Sequence, residues 1–140
     1  TGNSALDAIL STKKALAETK GITVDMEVQI SDQLPLEPVD VCVIFGNALD
    51  NAIEACDRLA QGDKRIQLML VQREGKLLCR LTNTAPATIA KGFHATSKPD
   101  KENHGFGLMN LKESLEKYDC EPTITYKDGQ FSLKFVVYEK

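Results

Sequence analysis

At 140 residues, with 42% hydrophobic and 26% charged side chains, the chain has the length of one domain and an ordinary globular balance, which excludes a disordered segment. Its longest apolar run, Val41 to Phe45, falls far short of the roughly eighteen residues that span a bilayer, and no signal segment opens it, so a soluble piece is expected. Seventeen basic against twenty acidic residues leave a net charge of -3 with no Lys/Arg block, which argues against a nucleic-acid partner. Residues 5–19 then place Leu6, Ile9, Leu10, Lys13, Leu16 and Ala17 at helical spacing, and Gly21 stops this first helix near Lys20. Ile22 to Ile30 alternates apolar and polar side chains, the period of a half-buried strand. Pro35 and Pro38 break the chain, and Val39 to Ala60 reads as a long helix closed by Gly62.

Two strands follow, RIQLMLVQR and LLCRLTN, joined at Glu74-Gly75-Lys76 as an antiparallel hairpin. From Thr84 to Gly105 the chain shows Pro86, Gly92 and Pro99 but no periodicity, and a stretch of that length in a compact domain reads as a lid. Helical spacing resumes at Leu108, Leu111, Leu115 and Tyr118, and PTITYK and FSLKFVVY close the chain as a hairpin around Asp128-Gly129. Strands with one wet face need helices on one side only, which predicts a two-layer α/β sandwich. Cys42, Cys56, Cys79 and Cys120 are too widely spaced for a zinc knuckle or a small disulfide scaffold and read as reduced thiols, mostly buried.

The long helix carries the densest chemical signal. At about 100° per residue, Asn47, Asn51, Glu54 and Arg58 fall within about 60° of one another, opposite Phe45, Leu49, Ala52, Cys56 and Ala60. A polar stripe suits any surface helix, but asparagine is a mediocre helix former where Lys or Gln would solvate the face at less cost. Two carboxamide oxygens one turn apart are what a hard cation such as Mg²⁺ holding a phosphate can use, since Mg²⁺ keeps most of its waters. In HGFGLMNLKESL, Gly105 and Gly107 stand where a loop is expected to enter a helix, whose free N–H groups attract anions; capping or tight packing is the other reading. Thr96-Ser97-Lys98 offers two hydroxyls and an ammonium, as a phosphate clasp or as a solvated loop.

Together, FGNALDNAIEAC, the strand pair ending LTN, GFHATSK and HGFGLMNLKESL resemble the ATP-binding catalytic domain of a sensor histidine kinase, over nearly the whole chain from TGNSALDAIL onward. Within that group the chain is most similar to the quorum-sensing, Agr-type branch of the GHKL superfamily, which shares the Bergerat nucleotide-binding fold. The resemblance implies one α/β (α+β) domain over residues 1–140, with a mixed sheet of about five strands carrying three helices on one face and an ATP lid at about 84–105. It implies ATP and Mg²⁺ as cofactors, with Asn51 as metal ligand and Asn47 as its companion in catalysis. Gly105, Gly107 and Leu108 would hold the triphosphate through the backbone, and Ser97 and Lys98 would reach it from the lid. Asn83 would stand where most of the superfamily has an aspartate that accepts the adenine amino group; an amide oxygen accepts the same bond without the carboxylate's charge. The usual DxGxG is missing, and Gly129-Gln130-Phe131 lacks the threonine often found in the last hairpin.

In family terms the γ-phosphoryl group passes to a histidine on a helical hairpin that also dimerises. His94 and His104 lie in no helical acceptor pattern, so the acceptor-histidine and sensor domains are expected outside these residues. The implied partners are that dimerisation domain of the same receptor and a response regulator downstream in a two-component system, with no nucleic acid. The implied location is cytoplasmic, as the inner part of a membrane-bound sensor, with membrane contact only through absent N-terminal segments. Opening on Thr1 rather than Met agrees with a portion of a longer protein. Two alternatives stay open: a GHKL serine kinase of anti-sigma-factor type or a related ATPase, and an interaction module that keeps the fold without catalysis. Hydrolytic relatives place a glutamate at the position of Asn47 to activate water, and an asparagine cannot serve as that base.

Overall fold

The structure, a computed structural model, describes residues 3–31, 33–86 and 101–139; for 101–106 only the helical backbone is considered. In chain order the elements are α1 (Ser4–Thr19), β1 (Thr23–Gln29), α2 (Pro38–Asp57), β2 (Arg65–Arg73), β3 (Lys76–Thr84), α3 (Lys101–Glu116), β4 (Thr123–Lys127) and β5 (Gln130–Tyr138). The strands form one sheet in the order β1-β2-β3-β5-β4. β1 runs parallel to β2, with α2 as the crossover that a parallel pair requires, and the remaining neighbours are antiparallel. Three helices and a mixed five-stranded sheet are the architecture the sequence predicts.

Local chemistry sets the ends of these elements. The Asn3 side chain accepts from Leu6 N–H at 2.9 Å and caps α1. At its other end the N–H groups of Gly21 and Ile22 return to Glu18 and Ala17 carbonyls, with Gly21 at φ 76°, the left-handed closure that glycine permits. Both hairpins turn on two residues with positive φ, Glu74-Gly75 and Asp128-Gly129, as a type I′ turn demands. α2 starts with Pro38 in its first turn and ends at Asp57, earlier than the expected Ala60. Leu59 N–H bonds the carbonyl of Cys56, three residues back, so the last turn tightens and the helical period no longer applies at Ala60, which is exposed.

Alternation along the strands sends one set of side chains under the helices. Ile66, Leu68 and Leu70 of β2, Leu77, Cys79 and Leu81 of β3, and Phe131, Leu133, Phe135 and Val137 of β5 are buried there. They meet Leu6 and Leu10 of α1, Phe45, Leu49 and Ala52 of α2, and Leu111 and Leu115 of α3 in one hydrophobic cluster. Phe45 and Phe135 pack with tilted rings 6.1 Å apart. Cys56, Cys79 and Cys120 are buried free thiols and Cys42 is an exposed one. No helix among the described residues is long and apolar enough to cross a membrane.

α2 contacts both α1 and α3 as well as the sheet. It therefore buries more than one face: Val41, Ile44, Gly46, Ala48, Ile53 and Ala55 are covered together with Phe45, Leu49, Ala52 and Cys56 of the predicted core stripe. The polar stripe survives as a narrow ridge, with Asn47, Asn51 and Glu54 half-buried and Arg58 exposed beyond the helix end.

Candidate functional site

The ridge of α2 forms one wall of an open cavity of about 370 Å³. Asn47, Asn51 and Glu54 line it from α2, joined by Asp50 between the asparagines, while Lys20 at the end of α1 and Gly107 of α3 close its sides. Asn47, Asn51 and Gly107, three of the residues singled out in the sequence, line it together. Lys20 and Asp50 are additions. A signal for Asp50 was present: Lys13 falls in the apolar stripe of α1, where a cation needs a carboxylate, and its Nζ meets Asp50 Oδ1 at 2.7 Å.

Asn47 is oriented from within its own helix. Its Nδ2 donates to the Val43 carbonyl one turn back at 2.7 Å, which leaves Oδ1 as the free end of the amide. A Cβ built on Gly107 would stand 3.3 Å from that Oδ1, a tight contact to which the asparagine's free end would have to give way. Asn51, one turn along, has no hydrogen-bond partner among the described residues and faces the same cavity. A carboxamide oxygen with nothing to accept at a cavity wall suits a cation or a phosphate-bound water.

The helix mouth lies elsewhere than expected. α3 begins at Lys101, so among its residues the N–H groups without intrahelical partners belong to Lys101 through Asn103, and Gly105 and Gly107 sit in the second turn. Glycines before a helical stretch read as punctuation, yet glycine within a helix costs only about 0.5–1 kcal/mol relative to alanine and is kept where closeness is needed. Beside the backbone-cradle role expected of Gly105, Gly107 and Leu108, Gly107 leaves clearance next to Asn47. Leu108 is half-buried on the same helix. Both ends of the predicted lid are trimmed, because β3 runs through Thr84 and α3 starts at Lys101. Ser97, Lys98 and His94 lie outside the described residues, as do the interior positions of the lid.

Asn83 does not line this cavity. It lies on the core face of β3, 2% exposed, paired in register with Ile66 and Phe131. Its Nδ2 donates to the Thr84 carbonyl at 3.0 Å, while its Oδ1 is buried with no partner among the described residues. An acceptor left so costs about 1–3 kcal/mol, and folded proteins retain such groups mainly where something else satisfies them.

A polar clamp fixes α3 against α2 away from the cavity. Asp40, 2% exposed in the first turn of α2, accepts from Lys117 Nζ at 2.8 Å and from the Tyr118 hydroxyl. That hydroxyl in turn accepts from Glu37 N–H at 2.9 Å. Burial pushes the Asp40 carboxyl up, but the bonds from Lys117 and Tyr118 together with the lysine charge outweigh it and hold the group below the usual aspartate range. The same bond from Asp40 raises Lys117.

A profile of the GHKL domain family matches residues 36–138. No curated protein matches the sequence. Among solved structures, a nucleotide-free form of the catalytic domain of histidine kinase ThkA superposes with a TM-score of 0.73 at 13% identity, covering 96% of this chain and 90% of that one. Another nucleotide-free form of that domain gives 0.74 at 13% identity, over 96% and 92%. The mycobacterial sensor histidine kinase MprB gives 0.65 at 17% identity, over 96% and 93%. At these identities the likeness establishes a common fold.

Proposed function

The chain belongs to the GHKL domain family, and on that premise we propose that it binds Mg-ATP and donates the γ-phosphoryl group to a histidine on a separate dimerisation domain of a two-component sensor kinase. The observation that carries this reading is the meeting of Asn47, Asn51 and Gly107 at one cavity, with both carboxamide oxygens available to a ligand. The unpartnered Asn83 Oδ1 adds support, being an acceptor of the kind an adenine amino group satisfies.

The residues present fit the proposed ligand. Mg²⁺ would be held by Asn51, with Asn47 beside it, and when bound would supply charge neutralisation to the phosphates. Asn47 and Asn51 would orient the nucleotide rather than move protons, because a carboxamide has no titratable group. Phosphoryl transfer asks a protein mainly for such alignment, and the absence of a carboxylate at position 47 favours transfer over activation of water. Ser97 and Lys98 would add lid contacts. Assignment to the Agr-type quorum-sensing branch, with a response regulator downstream and a cytoplasmic place beneath a membrane receptor, belongs to this proposal and rests on the motifs FGNALDNAIEAC and HGFGLMNLKESL.

The test is transfer in trans. With γ-labelled ATP and Mg²⁺, the chain alone is expected to retain almost no label, and a separately supplied histidine-bearing helical hairpin of its own receptor is expected to become labelled. Stoichiometric label retained on His94 or His104 would contradict the reading.

A further inference from the structure

The charge lining the cavity poses a problem that one residue can solve. Mg-ATP carries net negative charge, yet the described wall contributes two carboxylates, Asp50 and Glu54, and two neutral asparagines. Asp50 is compensated by Lys13 at 2.7 Å, and Glu54 also has a partner of its own. Among the described residues lining the cavity, Lys20 is the only cation. It is the C-cap residue of α1, its backbone fixed by the closure at Gly21, and it lies outside the residues matched to the family.

The side chain is poised rather than committed. Lys20 Nζ stands 3.4 Å from Asp57 Oδ2 at the end of α2, with the two side chains 37% and 48% exposed. An ion pair that open to water is weakly held, and a four-carbon stem can carry the ammonium from one partner to another.

We propose that Lys20 is a phosphate-side cation of this cavity: when a nucleoside polyphosphate enters, its ammonium leaves Asp57 and contacts the terminal phosphates. The terminal end is favoured because Lys20 shares its cavity with the Asn47–Asn51 ridge, whereas the acceptor suited to the base, Asn83, lies away from it. The inference rests on the nucleotide-binding reading and adds to it a residue from a helix that the family match does not reach. The opposing account is that Lys20 and Asp57 only tie α1 to α2.

Calorimetric titration of the chain with ATP, ADP and AMP in Mg²⁺ separates the two. Lys20→Gln is expected to weaken ATP binding about three- to tenfold, ADP less and AMP hardly at all, and to flatten the dependence of ATP affinity on salt. Lys20→Arg should restore most of the loss. Asp57→Asn breaks the same ion pair but frees the ammonium, so ATP binding should hold or tighten. Melting without nucleotide should shift alike in Lys20→Gln and Asp57→Asn. If Lys20→Gln leaves the ATP-to-AMP ratio unchanged, or if Asp57→Asn loses ATP as Lys20→Gln does, the inference fails while nucleotide binding stands. A wild-type chain that binds none of the three would overturn the nucleotide-binding reading and this inference with it.

Discussion

Asn47 and Gly107 act as a pair. The amide of Asn47 is turned by its bond to Val43, and the room for its oxygen exists because position 107 has no side chain. Alanine at 107 suits a helix, so Gly107→Ala is expected to hold or raise stability by up to about 1 kcal/mol while lowering ATP affinity, a split that melting and titration read separately. Equal ATP binding in that variant would show that the clearance does nothing. Asn83 gives the second prediction at this scale. Asn83→Leu removes a buried acceptor that has no partner among the described residues, so stability should change little, while the preference for ATP over GTP should fall about tenfold. Retained discrimination would separate Asn83 from the base. The asparagine stripe was legible because helical periodicity alone groups positions 47, 51 and 54. The orphaned oxygen of Asn83 was not, since it depends on what Ile66 and Phe131 do beside it in the sheet.

At the scale of elements, the junction of α2 with α3 is held by Asp40, Lys117 and Tyr118, 77 and 78 positions apart in sequence. No local pattern announces a bond that long, and so the clamp was invisible before the fold. Because the folded Asp40 is held below its ordinary value of about 3.9, its contribution to stability is complete above that pH and is lost as pH falls through the folded value. Acid unfolding should therefore be steeper in the wild type than in Asp40→Asn, and the variant should be less stable near neutrality by about 1–3 kcal/mol. Parallel acid transitions would remove Asp40 from the linkage. Gly46 of α2 tests packing against α1. A Cβ there would meet Ile9 at an ordinary 3.6 Å, so Gly46→Ala should raise the melting temperature, by about 0.5–1 kcal/mol in stability. The helix boundaries were harder to read. Gly105 and Gly107 look like a helix entrance in sequence, yet α3 runs through them from Lys101, and α2 halts at Asp57 because its last turn tightens before Gly62.

At the scale of the whole molecule, the sheet order β1-β2-β3-β5-β4 places α2 over the central strands with α1 and α3 packed against it. The cavity walls come from each of the three helices among the described residues, so the site exists only when the helical layer is assembled. The two-layer architecture was legible because alternating strands and the two-residue turns at Glu74-Gly75 and Asp128-Gly129 leave little choice of pairing. What α1 contributes was not, because Lys20 reaches the cavity only through the packing of α1 on α2. The proposed division of labour makes a further prediction at this scale: phosphate release by the chain alone should stay far below the rate of transfer to an added histidine-bearing hairpin, since position 47 offers no base.

The account depends most on Asn51 serving Mg²⁺ and phosphate together. Titration with a fluorescent ATP analogue, with and without Mg²⁺, should show a magnesium-dependent gain in affinity for the wild type that Asn51→Ala loses, while the weaker magnesium-free binding remains. Equal affinities for wild type and variant in both conditions would contradict it.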